Sequence, residues 1–293
     1  MDSFLAPAKI NLALHVVGRR EDGYHLIETI AVFTRFGDRI EVSRAEKDEF
    51  RVTGPYGGAI PADGGNLVLK ARDAFRQAFQ ASAGKPLSIA LEKNLPPSSG
   101  IGGGSSDAAA VLRALKRQYG SAVPETSLSA MAARLGADLP MCLAARPLVA
   151  RGIGERIEIF RDFPSLPMIL VNPGVGVSTP AVFRELSGPV NPPIGSRPPT
   201  DPKALPTWLD RTRNDLEKPA RGIATVISNV LQALTQAGAS FARMSGSGAT
   251  CFGLFETVEA AQNGATLIRM RQPDWFVAAT RSMASTEDPD DGN

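Results

Sequence analysis

Hydrophobic and polar positions alternate with a period of two along residues 8–17. Ala8, Ile10, Leu12, Leu14 and Val16 share one face and Lys9, Asn11, Ala13 and His15 the other, which predicts an early strand with a polar side. The same period predicts strands at 27–34, at 38–43 with Ile40 and Val42 inward, and where Leu87, Ile89 and Leu91 alternate. A helical period takes over at 66–81 (Leu67, Ala71, Ala74, Phe75, Ala78) and at 126–135 (Leu128, Met131, Leu135, stopped by Gly136). Between them, residues 95–115 read LPPSSGIGGGSSDAAAVLRAL. A glycine-serine loop runs there into a helix with Val111, Leu112 and Leu115 on one stripe and Arg113, Lys116 and Arg117 outside. Ser105 or Ser106 is its expected N-cap and Gly120 its end.

The second half continues with a strand at Met168–Asn172 and a short helix capped by Thr179, with Pro180 as its first residue. A helix over 215–237 follows, with Ile223, Val226, Ile227, Val230, Leu231 and Leu234 inward. Strands Phe241–Met244 and Thr250–Phe255 flank a second glycine-serine turn, and a helix at 257–271 and a strand at 275–280 close the pattern. Prolines recur from 187 to 206, where a mobile surface loop is expected, and the acidic end from 284 to 293 is expected to be disordered. Mixed helices and strands of this kind predict an α+β fold in two domains, 1–158 and 159–283, followed by that tail.

Composition narrows the function classes. The chain has 293 residues, 43% hydrophobic and 21% charged, and 32 Lys+Arg against 30 Asp+Glu leave a net charge of +2. Such a balance gives no general attraction to nucleic acid or to an anionic membrane, so neither is an expected partner. No run of about 18 apolar residues occurs and the N-terminus has no secretory pattern, so a cytoplasmic location is expected. Cys142 and Cys251 lie in apolar surroundings as expected free thiols, and with two histidines, His15 and His25, no metal-ligand spacing is present.

The loop carries the first chemistry. A helix that starts on glycines points unpaired N–H groups and the positive end of its dipole at whatever the loop encloses, which suits a phosphate. The pattern GxxxxGK[ST] fails because no lysine follows the glycines. GxGxxG fails because Gly100 and Gly102 are followed by Ser105 in the third place. The loop is therefore of a third kind. Elsewhere, Lys9 and Asn11 project side by side from the first strand. Tyr24 and His25 follow the Asp22-Gly23 turn, where they can pack or line a pocket. Asp138 sits between the Gly136 stop and an apolar stretch, either as a helix N-cap or as a carboxylate presented from a turn.

Taken together, an early lysine-bearing strand, PPSSGIGGGSSDAA in the middle and MSGSGAT late in the chain closely resemble the GHMP kinases. The stretches PAKINLALHVVGRREDGYH, LGADLPMCL, GIGE, STPAVF and RNDLE resemble the branch whose acceptor is a cytidine diphosphate alcohol, a precursor in non-mevalonate isoprenoid synthesis. The resemblance implies an N-terminal domain like domain 2 of ribosomal protein S5 and a ferredoxin-like C-terminal domain. It implies ATP-dependent transfer of phosphate to an alcohol, with Mg²⁺, in a monomer or weak homodimer. It places Lys9 and Asp138 as the catalytic pair, the aspartate orienting the hydroxyl and accepting its proton late. Pro96, Pro97, Ser98, Ser99, Gly100, Ile101, Gly102, Gly103, Gly104, Ser105 and Ser106 form the nucleotide-phosphate loop. Asn11, Tyr24, His25, Thr179, Pro180 and Phe183 match contacts to the acceptor, with Tyr24 and His25 holding a pyrimidine by stacking and edge hydrogen bonds. Gly246, Ser247, Gly248 and Ala249 would face the phosphates from the other domain. Homoserine or mevalonate-type acceptors are the alternative, and they carry no base to stack. An RNA-binding protein built on the S5-like half is disfavoured by the near-neutral charge.

Overall fold

The computed structural model describes residues 2–79, 84–120, 123–186 and 191–290. Strands β1 (Ser3–Arg19), β2 (His25–Arg44), β3 (Glu49–Thr53), β4 (Leu87–Glu92), β5 (Leu148–Gly152) and β6 (Arg156–Ile159) form one sheet in the order β3-β4-β2-β5-β6. β1 runs antiparallel along one edge of β2, while β4 and β5 share its other edge. The two strands expected at 27–34 and 38–43 are thus one, and the step between them is absorbed by Gly37. A Cβ there would lie 2.2 Å from the Ala6 carbonyl oxygen, so only glycine lets β1 stay paired beside the register shift at Pro7 and Lys9. Helices α1 (Leu67–Ala78), α2 (Gly103–Tyr119), α3 (Glu125–Leu135) and α4 (Leu139–Ala144) belong with this sheet, and one core runs from Phe33 and Ile89 to Val111 and Met141. The end expected for α1 at 80–81 lies outside the described residues.

The second sheet is antiparallel, in the order β10-β7-β9-β8, from β7 (Pro167–Asn172), β8 (Phe241–Met244), β9 (Cys251–Leu254) and β10 (Phe276–Arg281). With α5 (Thr179–Arg184), α6 (Leu205–Leu209), α7 (Glu217–Ile223), α8 (Val226–Gln236) and α9 (Val258–Arg271), it follows the βαββαβ order of a ferredoxin-like domain. The helix expected over 215–237 is broken at Ala224 and Thr225. That break turns Ile223 out to 45% exposure while Ile227, Val230 and Leu234 stay buried.

β1 joins the halves. Its residues enter three hydrophobic clusters in turn, through Phe4 and Ala6, then Ala8, Ile10 and Leu12, then Leu14 and Val16. The side that the pattern marks as polar is not solvated, because Lys9, Asn11 and His15 are all buried. His15 Nε2 accepts from the Arg213 backbone amide, so its Nδ1–H donates to Pro192 O, which also accepts from the Arg213 guanidinium. Ile194 N donates to Glu28 and Asn191 N to Val16 O. The expected mobile loop therefore lies hydrogen-bonded along β1 and β2 from residue 191, and from Leu205 it is helical. Its start at 187–190 lies outside the described residues.

The acidic end likewise folds back. Met283 N bonds Phe33 O, Arg281 clamps Glu287 through two hydrogen bonds, and Arg113 on α2 holds Asp290. The expectation of a disordered tail thus fails through residue 290, because its carboxylates find arginines, Arg281 close by in the chain and Arg113 far from it; 291–293 lie outside the described residues. The Arg281 guanidinium holds the Glu287 carboxyl down at about 2. A depressed carboxyl stabilises the fold above its unfolded value of about 4.3 and stops doing so as pH falls through the folded value. The tail is therefore expected to stay docked at pH 5 and release between about pH 4 and 2, read as faster amide exchange at 283–290. Glu287→Gln should move that release to neutral pH, whereas slow exchange in the variant would deny the clamp its role.

Candidate active site

Seventeen of the twenty-three candidate residues converge on one cleft of 1610 Å³ between the two sheets. Its size exceeds the ~300–1,000 Å³ that encloses one drug-sized ligand, which leaves room for a donor and an acceptor together. Lys9, Asn11, Tyr24, His25, Asp138, Thr179, Pro180 and Phe183 line it, with Ser98 to Gly100, Gly102 to Ser105, Gly246 and Ser247.

One wall is the glycine loop. Helix α2 begins at Gly103 with Gly102 as N-cap in the left-handed region, and no side chain caps it. The serines expected as caps are used otherwise, since Ser106 Oγ donates to Pro7 O inside the fold and Ser105 faces the cleft. First-turn amides of a helix lack intrahelical acceptors, so these point at the cleft. Pro96, Ile101 and Ser106 are buried behind the loop and Pro97 is exposed outside it; none of the four lines the cleft.

The second glycine turn locks into the first. Thr250 N donates to Ser99 O, and Ser245 Oγ donates to Gly100 O while accepting from Asn11 N. Behind it, Asn214 Nδ2 donates to both Met244 O and Gly246 O at 2.8 Å. Only Gly246 and Ser247 of this turn reach the cleft; Gly248 and Ala249 are buried against the first glycine loop and the core. Asn214 lies in the RNDLE stretch, to which the sequence attaches no role, since its targets are some thirty residues away.

Between the loop and the far wall stands the ion pair. Lys9 Nζ lies 2.7 Å from Asp138 Oδ1; the lysine side chain is 5% exposed and the aspartate 43%. Asp138 occupies the N-cap position of α4 but makes no capping hydrogen bond, so the carboxylate is presented to the cleft from a turn. Next to Lys9 on β1, Asn11 donates through Nδ2 to Thr29 Oγ1, and its Oδ1 is buried with no partner among the described residues. An unmet acceptor beside a cleft suits a ligand hydroxyl.

The far wall is aromatic. The His25 ring stacks on Phe183 with centroids 4.8 Å apart, and Tyr24 stands 62% exposed at the edge. Burial first, and then the Arg19 charge, lower the His25 pKa, which favours the neutral ring at pH 7. Thr179, expected as a cap, is instead the first helical residue after Ser178. Its hydroxyl lies 2.7 Å from that of Ser247, tying this wall to the second turn. Arg19 and Arg184 also line the cleft, and sequence reasoning did not single them out. Among the described residues no three His, Cys, Asp or Glu side chains gather to hold a metal ion, and no helix is long and apolar enough to cross a membrane.

Comparison with known proteins agrees with this geometry. Residues 66–146 match the family model for the GHMP kinases N terminal domain and residues 202–266 that for the GHMP kinases C terminal. The chain is 57% identical over 281 residues to a 4-diphosphocytidyl-2-C-methyl-D-erythritol kinase of Mesorhizobium japonicum, covering 96% of this chain and 95% of the relative. It is 50% identical over 286 residues to the protein of that name from Agrobacterium fabrum, covering 95% of each. A crystal structure of 4-(cytidine 5'-diphospho)-2C-methyl-D-erythritol kinase superposes with a TM-score of 0.79 at 34% identity, over 96% of this chain and 98% of the other. Homoserine kinase from Cytophaga hutchinsonii, at 18% identity, shares the fold with a TM-score of 0.70, over 98% and 96% of the two chains.

Proposed function

The chain belongs to the 4-diphosphocytidyl-2-C-methyl-D-erythritol kinases of the GHMP family, and from that premise we propose how its cleft transfers the γ-phosphoryl group of ATP to the acceptor's 2-hydroxyl. The observation that carries the reading is the Lys9–Asp138 pair, set in one cleft between a helix N-terminus without a capping side chain and an aromatic wall.

The triphosphate lies on the amides of Gly102 to Ser105 at the start of α2, where the backbone supplies fixed donors. The cytosine packs against the His25–Phe183 wall, with Tyr24 covering it from the rim, and the acceptor hydroxyls meet the unpartnered Asn11 Oδ1. In the transfer, the bond from the γ-phosphorus to the bridging oxygen of ADP breaks as the acceptor oxygen bonds to phosphorus, and the hydroxyl proton passes to Asp138. Because the transition state is loose, the proton moves late and Asp138 acts first by orienting the hydroxyl. Lys9, held by its ion pair, fixes that carboxylate and faces the charge gathering on the phosphoryl oxygens.

Mg²⁺ fits this donor set. It binds through few protein ligands plus substrate phosphates, which suits a cleft without an acidic cluster. Ser105, which faces the cleft beside the phosphate region, would be its protein contact. When bound on the nucleotide it neutralises charge on the β- and γ-phosphates.

The direct test is ATP turnover with the cytidylyl alcohol against homoserine and mevalonate. Turnover confined to the first is expected; no turnover with it, or equal turnover with all three, would sink the reading. For the aromatic wall, His25→Ala should raise KM for the cytidylyl substrate roughly tenfold, the combined worth of one stacking contact and one hydrogen bond. KM for ATP should stay put, and an effect confined to ATP would place His25 elsewhere.

A further inference from the structure

Behind the phosphate loop and outside the cleft lies a closed group of three charges. Lys93 Nζ donates to Asp38 Oδ2 at 2.5 Å and to Asp107 Oδ2 at 2.7 Å, and the three side chains are 3%, 0% and 4% exposed. Asp38 Oδ1 also accepts the backbone amides of Asn94 and Leu95, at 2.6 and 2.7 Å, where the chain enters the loop. Asp107 sits on α2, where the chain leaves it. Between them, a Cβ on Gly103 would lie only 3.1 Å from Lys93 Nζ, so the ammonium sits directly against the first residue of the helix.

The charge count is unusual for so dry a place. Two carboxylates share one ammonium, and Asp107 Oδ1 is buried with no hydrogen-bond partner among the described residues. A full buried negative charge there would be expensive, and it would oppose an anion arriving at the helix end above it. The titratable groups facing Asp107 are Lys93, Asp38 on β2 and, from α4, the thiol of Cys142, which burial pushes up to about 12 and keeps neutral. Lys9, on neighbouring β1, directs its ammonium to Asp138 instead. Burial raises the Asp107 carboxyl well above its usual range, against the pull of Lys93 and with the push of Asp38.

We propose that Lys93, Asp38 and Asp107 are positioning residues for the kinase reaction, a buried clamp that closes the phosphate loop at its entry and exit and sets the N-terminus of α2 for the nucleotide. This rests on the assignment of 96–106 to the triphosphate, and the test keeps the two ideas apart.

Amide hydrogen exchange across 94–106 in the ligand-free protein reads the clamp; KM for ATP reads its consequence. Lys93→Met should speed that exchange roughly tenfold or more and raise KM for ATP by a similar factor, leaving KM for the cytidylyl substrate nearly unchanged. Should the methionine variant fail to fold, Lys93→Arg, whose larger head is crowded by Gly103, is expected to show the same change to a smaller degree. Asp107→Asn keeps the side chain's shape and one acceptor for Lys93, so it should loosen the loop less than Lys93→Met. Unchanged exchange in both lysine variants would overturn the clamp. Faster exchange in Lys93→Met with KM for ATP unmoved would uphold the clamp and remove the loop from its nucleotide role.

Discussion

Asp138→Asn is expected to lower kcat by about 10²–10⁴-fold, the usual worth of a positioned acid–base group, while nucleotide affinity stays within a few-fold of the parent. The reasoning is geometric. Asp138 extends from a turn at the start of α4, makes no capping bond there, and pairs with Lys9. Asparagine keeps the shape and can still orient a hydroxyl, but it cannot take the proton. Because the proposed partner of the carboxylate is the acceptor rather than the triphosphate, the loss should fall on kcat and on kcat/KM together, as for a group acting only in the transition state. Lys9→Met provides the cross-check. It removes the buried partner of the same carboxylate, so the double variant should be little worse than the poorer single one if the two act as a unit. Steady-state kinetics with calorimetric titration of ADP measure both. An Asp138→Asn protein with unchanged kcat would remove the residue from its role.

Much of this site can be seen in the chain before folding, because local periodicity reports local structure. The period of two at 8–17 places Lys9 and Asn11 on one side of β1, and the glycine run before an amphipathic stretch marks the start of α2. What periodicity does not report is what covers a polar face. His15 looks solvated until Pro192 and Arg213 close over it. The same limit hides Asn214, whose work is done on carbonyls of a distant turn, and the tail, whose acidic composition suggests solvation until Arg281 and Arg113 are seen against it. The buried clamp is a different case, since its signal was present. Lys93 continues the inward phase of Leu87, Ile89 and Leu91, Asp38 that of Ile40 and Val42, and Asp107 precedes Val111 and Leu115 at helical spacing. A charge in core phase implies a buried partner, and three of them around one glycine loop can be read as a group. The cap of α2 was misjudged for a simpler reason. Serine is the better cap when a side chain must satisfy the end amides, but here those amides face the cleft, and glycine in the left-handed region starts the helix without filling it.

Gly100→Ala is expected to damage both the fold and the nucleotide side of the cleft, and the reason lies in how the two glycine turns meet. Gly100 has φ +77°, and a Cβ on it would come within 2.7 Å of Gly248 N, Gly248 O and Ser245 O. All three are backbone atoms that no rotamer change can move. The left-handed backbone alone costs alanine about 1–2 kcal/mol, and forcing a methyl into packed backbone adds about 1–3 kcal/mol. A loss of roughly 3 kcal/mol in unfolding free energy is therefore expected. The damage should not stop at stability. To admit the methyl, the loop must draw away from the turn that Ser245 and Thr250 hold against it, which shifts the first amides of α2 and should raise KM for ATP at least tenfold, since about 1.4 kcal/mol of lost binding suffices. Gly104→Ala separates the two effects, because nothing lies within 4 Å of a Cβ there and the residue is helical. That variant should hold or gain about 0.5–1 kcal/mol of stability while placing a methyl on the cleft surface proposed to take the phosphates. Denaturant midpoints for the two proteins, set beside their KM for ATP, measure the contrast. Equal stability of both variants would show that the turns do not interlock as tightly as their backbone atoms require.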